Sequence, residues 1–583
     1  MSRPAANLLA RLIGALVSEG MVDAKPEDSS SGASWRLNLA DASYLFQAEP
    51  SAFGAVRVVP GSVRRVSRGV LGDDESEPAD EPAQLVADAA ADLALTGTTV
   101  AGYIAELGST LAADNRLRET AVPTAEIVEL DHARIEGHLT GHPLLVANKG
   151  RLGFSARDCE RYAPESRRPL KPVWLAVSRR LAEFRSVPSM SEQALVDGEL
   201  GPSVRRMFEE RLRADGADPD GYILMPAHPW QVDHVVRQLW SHSVLNGQII
   251  VLGEAEDSYL PTQSIRTLVN VSDPTRLQVK LPLKILNTSV YRGIPRHCSM
   301  AAPMTTHWLR GIWRSDPVLD RSAVLLGEVA SVTVRHPQLG ADPRIPYQWD
   351  ETLGCIWREP VDPNLAAGET VWPLALLLHQ DPQGELAAVT LACRAGTGLG
   401  DWVQRLVLVV LNPLLRLLHT YGVSVNPHGE NLMVICDEAG LPSRLVVKDL
   451  VDDVCVSTEP VAERGWEPDG YDRVLPRKPW HILRQYLVDA LFLGVWGPLA
   501  DLLDDHGGDV RSGDLWAWTR SAIEEYAGQH PEQRDRIEAT GLLGREFARF
   551  PLNSYRLRLG YTDLEVRPPV PRAGQMPNPM HRG

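Results

Sequence analysis

Apolar positions recur along this chain with two periods, and the period changes from region to region. Residues 1–22 read as an amphipathic helix, with an apolar run over 8–17 that Arg11 interrupts. Residues 25–34 are rich in Ser, Gly and Glu and predict a polar loop. Short β-type runs at 55–59 and 62–66 precede an acidic stretch, 73–81. From 83 to 118, Ala and Leu recur three and four residues apart, which predicts long helices. The first 130 or so residues therefore read as mostly helical with a small β element.

The pattern switches between Tyr222 and Ser289, where 249–252 and 277–284 read as short strands. A helix is predicted over 401–421. A hairpin follows, pairing 432–436 with 445–447 around Asp437-Glu438-Ala439-Gly440. Residues 478–505 and 513–547 read as helices, and the Pro-, Arg- and Gly-rich tail 567–583 reads as mobile. The sum is an α+β chain with a helical N-terminal part and mixed β structure in the middle.

Composition narrows this picture. The 583 residues correspond to about three to four domain-sized units. With 44% hydrophobic and 23% charged residues, the chain can bury a core without staples. A net charge of −16 argues against non-specific nucleic-acid binding, though a local basic pocket can sit in an acidic protein. The six cysteines form no Cys-x-x-Cys pair and no zinc spacing, which suits a reducing cytoplasm. The N-terminal run reads as a helix and not a signal peptide. The stretch 406–418 carries Asn412-Pro413 and Arg416 and is too short to span a bilayer, so no membrane association is expected.

Candidate chemistry sits in five places. His428-Gly429-Glu430-Asn431, a hairpin and Asp449 resemble the catalytic loop and metal Asp of kinase-like phosphotransferases. A hairpin sets its ends side by side, so Asn431 and Asp449 can converge on one Mg²⁺, which accepts few protein oxygens plus phosphate. Taken alone, the tetrapeptide fits a surface loop with a capping Asn better. Ser264, Arg266 and Thr267 offer hydroxyls and a guanidinium fork to phosphate oxygens. Lys280, and Arg292 twelve residues on after Thr288-Ser289, are either edge residues or pocket residues. His228, between Pro226 and Pro229-Trp230, fits a packed turn. His142 precedes Lys149 and Arg151, which share one face if that segment is a strand, and two cations on one face suit an anion.

In this order, the motifs resemble the aerobactin-synthetase family, the siderophore synthetases that work independently of non-ribosomal peptide synthetases. The family pattern has Gly-His-Pro-x-His-Pro-x-x-Lys-x-Arg-x-Gly-Phe, then His-Pro-Trp-Gln, Ser-x-Arg-Thr, Lys with Thr-Ser and Arg, and His-Gly-Gln-Asn with a later Asp. The correspondents here run from Gly141 to Asp449. Leu145-Val146 replaces the second His-Pro, a gap that only His138 stands near enough to fill, and Glu430 replaces Gln.

The resemblance implies a thumb (1–135), fingers (136–330) and a kinase-like palm (331–566), with the tail beyond. It implies that ATP and a polycarboxylic acid such as citrate form an acyl-adenylate and pyrophosphate. An amine or hydroxyl then displaces AMP to give an amide or ester. By analogy Arg292 and His428 serve the carboxylate, with Glu430 as base or metal ligand. His142, Lys149, Arg151, Ser264, Arg266, Thr267, Lys280 and Asn431 serve the nucleotide. Asp449 with Asn431 or Glu430 serves Mg²⁺. A cytoplasmic homodimer is expected. The alternative is a small-molecule kinase releasing ADP. A ferric-siderophore binder or iron–sulfur reductase is disfavoured, because it calls for a secretion signal or clustered cysteines.

Overall fold

The amphipathic N-terminal run forms the helix Arg3–Ser18, which buries Leu8, Leu9, Leu12, Ile13 and Leu16. They pack against a six-stranded antiparallel sheet drawn from residues 24–78. The computed structural model describes residues 3–27, 34–68, 74–288, 290–342, 344–451, 453–468, 472–561, 572 and 574–582. The expectation of a mostly helical N-terminal part is corrected by this sheet. Its strand Ala42–Pro50 buries Ala42, Tyr44, Phe46 and Ala48 in strict alternation. That period-two signal is weak in sequence because the inward positions include the small Ala42 and Ala48 while apolar Leu45 takes an outward one. The predicted loop at 25–34 likewise starts as a strand, Ala24–Pro26. Helices Pro82–Asp88 and Gly97–Glu119 fill the predicted helical stretch, and the Thr96 hydroxyl caps the second by accepting from the Thr99 N–H.

Two antiparallel sheets make the middle. A three-stranded one joins Val173–Ser178 to Ile249–Glu254 and Tyr222–Ala227. A six-stranded one runs in the order Tyr259–Pro261, Thr267–Asn270, Gln278–Lys280, Gly354–Arg358, Glu328–Val334, Ala182–Ser186. Pairing alone sets the site's spacing there: Thr267 lies opposite Lys280, and Arg358 lies between Gln278 and Glu328. Positions two apart on a strand share a face, so Lys280, Arg358 and Glu328 emerge together. The predicted strand 277–284 is shorter than expected, ending at Lys280.

The C-terminal part has a four-stranded sheet of Ala323–Leu325, Pro442–Val447, Leu432–Cys436 and Thr370–Pro373. Its central pair is the predicted hairpin. Ala323–Leu325 joins this sheet, Glu328–Val334 and Gly354–Arg358 join the middle sheet, and Thr370–Pro373 returns. The chain thus crosses between parts more than once, and residue 330 lies inside a strand of the middle sheet. Three large apolar clusters follow the same division.

Helix Leu399–Tyr421 forms as expected and ends at Gly422, whose φ of 59° closes the helix. This helix and Trp480–His506 are long and apolar enough to cross a membrane, but 67% and 72% of their apolar windows are buried inside the protein. The predicted helix 513–547 stops earlier, as Ser512–Gln529 and Arg534–Thr540, and Glu546–Ala548 is a strand. That strand pairs with Gln575–Pro577, and Met576 and Met580 enter the core. The end of the tail is therefore ordered, contrary to its composition, because two apolar side chains anchor it; 567–571 lie outside the described residues.

Candidate active site

The His428 loop and the middle sheet meet at two adjoining cavities. The inner one, of about 240 Å³, is walled by Ser264, Arg266, Thr267, Lys280 and Arg358 on one side and by Asn431, Lys448, Asp449 and Asp453 on the other. The outer one, of about 580 Å³, is walled by His142, Asn148, Arg151, Thr288 and Asp489 among others. Gln263, Arg292, His428 and Glu430 line both and mark where they join. Together they have the size of a site for a nucleotide and a second small molecule.

The hairpin does what its sequence implied. Leu432 pairs with Val447, and the Lys448 N–H donates to the Asn431 carbonyl at 3.1 Å, so the 428–431 loop and Asp449 stand side by side. Asp449 bridges the two sheets. Its Oδ1 accepts from Lys280 Nζ at 2.6 Å and lies 3.0 Å from Arg358, and Glu328 stands behind at 3.7 Å from Lys280. Burial pushes this carboxyl up, but Lys280, Arg358 and Arg266 outweigh it and hold it well below the ordinary carboxylate range. Asp449 has a φ of +68°, and Arg151, Ile265 and Thr288, also in or beside the site, have positive φ too. Such strain costs about 1–3 kcal/mol per residue. At Asp449 two charge-assisted hydrogen bonds, at about 1.5–3 kcal/mol each, offset it.

The histidines share one device. Nδ1 of His142 accepts from the Leu144 N–H at 3.3 Å, and Nδ1 of His428 accepts from the Glu430 N–H at 3.2 Å. With Nδ1 an acceptor, the proton of the neutral ring sits on Nε2. Burial lowers both rings to about 4, helped in each case by Arg292. Both are therefore neutral donors at pH 7, with ring centres 6.4 Å apart. His228 uses Nδ1 in the same way on Trp230 at 3.2 Å, yet it is fully buried and caps a turn, as the simpler reading of its Pro-flanked box has it.

Ser264 Oγ accepts from the Thr267 N–H at 3.2 Å, closing the turn that presents Arg266, whose guanidinium donates to the Gly293 carbonyl. Asn431 Nδ2 donates to Asp453 at 3.2 Å, and Asn426 holds the other Asp453 oxygen at 2.8 Å. Ser289 lies outside the described residues.

Two expected cations stand apart. Lys149 and Arg151 lie in a turn, not a strand, which corrects the shared-face argument. Lys149 is 1% exposed, its ammonium goes to Asp114 at 2.9 Å and to the Thr140 carbonyl, and it lines neither cavity. Arg151 reaches the outer wall, but both its terminal nitrogens go to the buried Glu165. His138 does not fill the gap left by Leu145-Val146: it lines a separate cavity of about 280 Å³, and Leu145 lines the outer site cavity.

Several site residues were not legible beforehand. Lys448 and Asp453 flank Asp449 in sequence, and that proximity was the available signal. Arg358 and Glu136 carried none, since strand pairing and a loop contact bring them in. Glu136 and Lys448, 4.0 Å apart, are each moved toward neutrality by burial.

Among the described residues no group of three or more His, Cys, Asp or Glu converges as a metal cage. Magnesium needs none, because it takes one or two carboxylates with phosphate oxygens and water. Glu430, Asn431 and Asp453 line the inner cavity as oxygen donors and fit that requirement.

Arg266, Lys280, Arg292, Arg358 and Lys448 face four carboxylates in the inner cavity, beside a second cavity of mixed polarity, and this fits an ATP-using transferase or ligase. Residues 131–379 match the IucA / IucC family, and residues 400–563 match a family described as ferric iron reductase FhuF-like transporter. The chain is 35% identical over 98% of its length to the rhizobactin siderophore biosynthesis protein RhbF of Rhizobium meliloti, covering 94% of that protein. It is 27% identical over 91% of its length to the citryl-spermidine/3,4-dihydroxybenzoyl-citryl-spermidine:spermidine ligase of Bacillus anthracis, covering 86% of it. The structure superposes on aerobactin synthetase IucC of Klebsiella pneumoniae with a TM-score of 0.85, 26% identity and 99% and 97% coverage of the two chains. The chain belongs to the IucA / IucC family of siderophore synthetases. It is a ligase of siderophore biosynthesis, and the kinase reading is not favoured.

Proposed function

We propose that this chain adenylates a polycarboxylic acid, citrate or a related di- or tricarboxylate, and condenses it with an amine. The observation that carries this reading is the meeting of Arg266, Lys280 and Arg292 from the middle of the chain with His428, Asn431 and Asp449 on one inner cavity that opens into a second. The Bacillus anthracis relative, whose name describes joining spermidine to a citryl unit, supports the acid and the amine.

In the first step a carboxylate oxygen attacks the α-phosphorus of ATP, and the bond to the β-phosphate oxygen breaks, releasing pyrophosphate. Several anions crowd together there, so fixed cations lower the barrier by opposing charge already in place. Arg266 and Lys280 take the phosphates, with Ser264 and Thr267 as hydrogen-bond donors. His142, Asn431 and Arg151 lie along the nucleotide's path. Arg292 and the Nε2–H of His428 hold the acid at the junction. Lys149 acts from behind by fixing the 140–149 turn. Asn431, Asp453 and the second oxygen of Asp449 would hold Mg²⁺, which when bound draws charge from the triphosphate, and Glu430 either joins them or stays free as a base. In the second step the amine nitrogen attacks the acyl carbon, the C–O bond to AMP breaks, and Glu430 receives the amine proton.

A thumb, fingers and palm division at 1–135, 136–330 and 331–566 goes with this reading, with the fingers sheet continuing to Arg358 and one apolar cluster drawing on all three parts. A cytoplasmic homodimer completes the reading; six unpaired cysteines suit a reducing compartment.

The test is product analysis with ATP, Mg²⁺ and a panel of di- and tricarboxylic acids, using hydroxylamine to trap the acyl-adenylate. The expected products are AMP, pyrophosphate and a hydroxamate. Acid-dependent ADP without AMP would overturn the reading.

A further inference from the structure

The outer cavity holds a carboxylate that the chemistry above does not use. Asp489 lines it, is 6% exposed, and is the second residue of a π-helical stretch, Val488–Trp496. π-Helical turns are rare and gather at functional sites. The carboxylate is aimed from behind: the Gln485 amide donates to its Oδ1 at 2.7 Å, and the same amide donates to the Ala548 carbonyl at 2.9 Å. Its Oδ2 receives the guanidinium of Arg572, which also lines the cavity. Arg572 also lies 4.9 Å over the ring of Phe550, another wall residue, while it is paired with Asp489. Ile482, Ala490 and Leu552 give the same cavity apolar wall beside Asp489, as a methylene chain requires.

Both cavities mix cations with carboxylates; in the outer one Arg151, Lys478 and Arg572 stand with Asp489, a carboxylate that the inner cavity does not share. We propose that Asp489 selects the amine substrate by holding the remote, non-reacting ammonium of a linear diamine, and that Arg572 takes the place of that cation in the substrate-free protein. This rests on the acyl-adenylate reading above. The two ends divide between two carboxylates: the reacting nitrogen must give up its proton, the task assigned to Glu430, while the other end stays an ammonium and pairs with Asp489. The reacting amine therefore faces Glu430 at the junction, and its other end faces Asp489.

The experiment compares two nucleophiles on one enzyme. Trapped acyl product is measured with 1,5-diaminopentane, which carries a second ammonium, and with hydroxylamine, which carries none. The expected result for Asp489→Asn is a ten- to hundred-fold fall in the ratio of kcat/KM for the diamine to that for hydroxylamine, through KM, with partial rescue by Asp489→Glu. Arg572→Gln removes the competing cation and raises the same ratio several-fold. If Asp489 served only to anchor Arg572, the ratio would be unmoved in both variants, and that result overturns the inference. A ratio that falls in Arg572→Gln also overturns it, because Arg572 would then be assisting the amine. No acyl product from the wild-type protein with any acid would instead sink the adenylation reading, and the role of Asp489 with it.

Discussion

Two groups of cations in this protein look alike in sequence and differ in what surrounds them. Lys149 and Arg151 each meet a dedicated carboxylate, Asp114 and Glu165, and their charge is spent inside the fold. Lys280 and Arg358 instead share Asp449 and Glu328 on the wall of a cavity, with Arg266 and Arg292 alongside. The first arrangement braces a turn. In the second, several positive charges stand at an opening where an incoming anion can reach them. A basic residue near a motif is therefore a weak guide to anion binding until the position of its carboxylate is known.

The sharpest way to break the comparison is Asp449→Ala. It removes the shared anion between Lys280 and Arg358 and the link between the two sheets. Acid-dependent pyrophosphate release is expected to be lost, by a hundred-fold or more, which corresponds to about 2.7 kcal/mol or more. Activity near wild type in a folded variant would remove Asp449 from the site.

Arg292→Ala deletes one charge-assisted contact at the junction of the cavities, about 1.5–3 kcal/mol. Turnover at limiting acid should fall roughly ten- to hundred-fold, as read from kcat/KM with the acid varied. An effect confined to the KM for ATP would move Arg292 to the nucleotide.

On the other side of the comparison, Lys149→Met should act on stability. It removes a buried ammonium from Asp114, which is 21% exposed and keeps Arg11 at 4.0 Å, so the cost stays below the about 3–5 kcal/mol of breaking a fully buried pair. Thermal melting should report this, while the KM for ATP of the folded fraction stays within about two-fold of wild type. A large rise in that KM would return Lys149 to the phosphates.

The last expected effect is on pH. Burial lowers His228 and His419 to about 3 and His132 to about 4, below the ordinary histidine value, so the unfolded chain binds more protons than the folded one in between. Stability is then complete above about pH 6.5, falls as pH drops, and is lost through the folded values near 4 and 3. A melting temperature that is flat from pH 7 to 4.5 would show that these rings are already protonated in the fold.

The sequence by itself determined the long helices, the 432–447 hairpin and the set of motifs, because these are written in local period and turn chemistry. It placed Ser264, Arg266, Thr267, Lys280, Arg292, His428, Glu430, Asn431 and Asp449 in one candidate site, and all of them line one cavity. The N-terminal sheet was not legible, since small inward residues and the outward Leu45 blur its alternation. Nor was the ordered tail, whose anchors Met576 and Met580 sit among prolines and arginines. Only the tertiary structure decided which cations are spent and which face a cavity. Asp114 lies 35 residues from Lys149, Asp449 lies 169 from Lys280, and Asp489 lies 83 from Arg572. A buried charge is settled by the carboxylate that the fold brings to it, and strand pairing and chain crossing, not local sequence, determine which one that is.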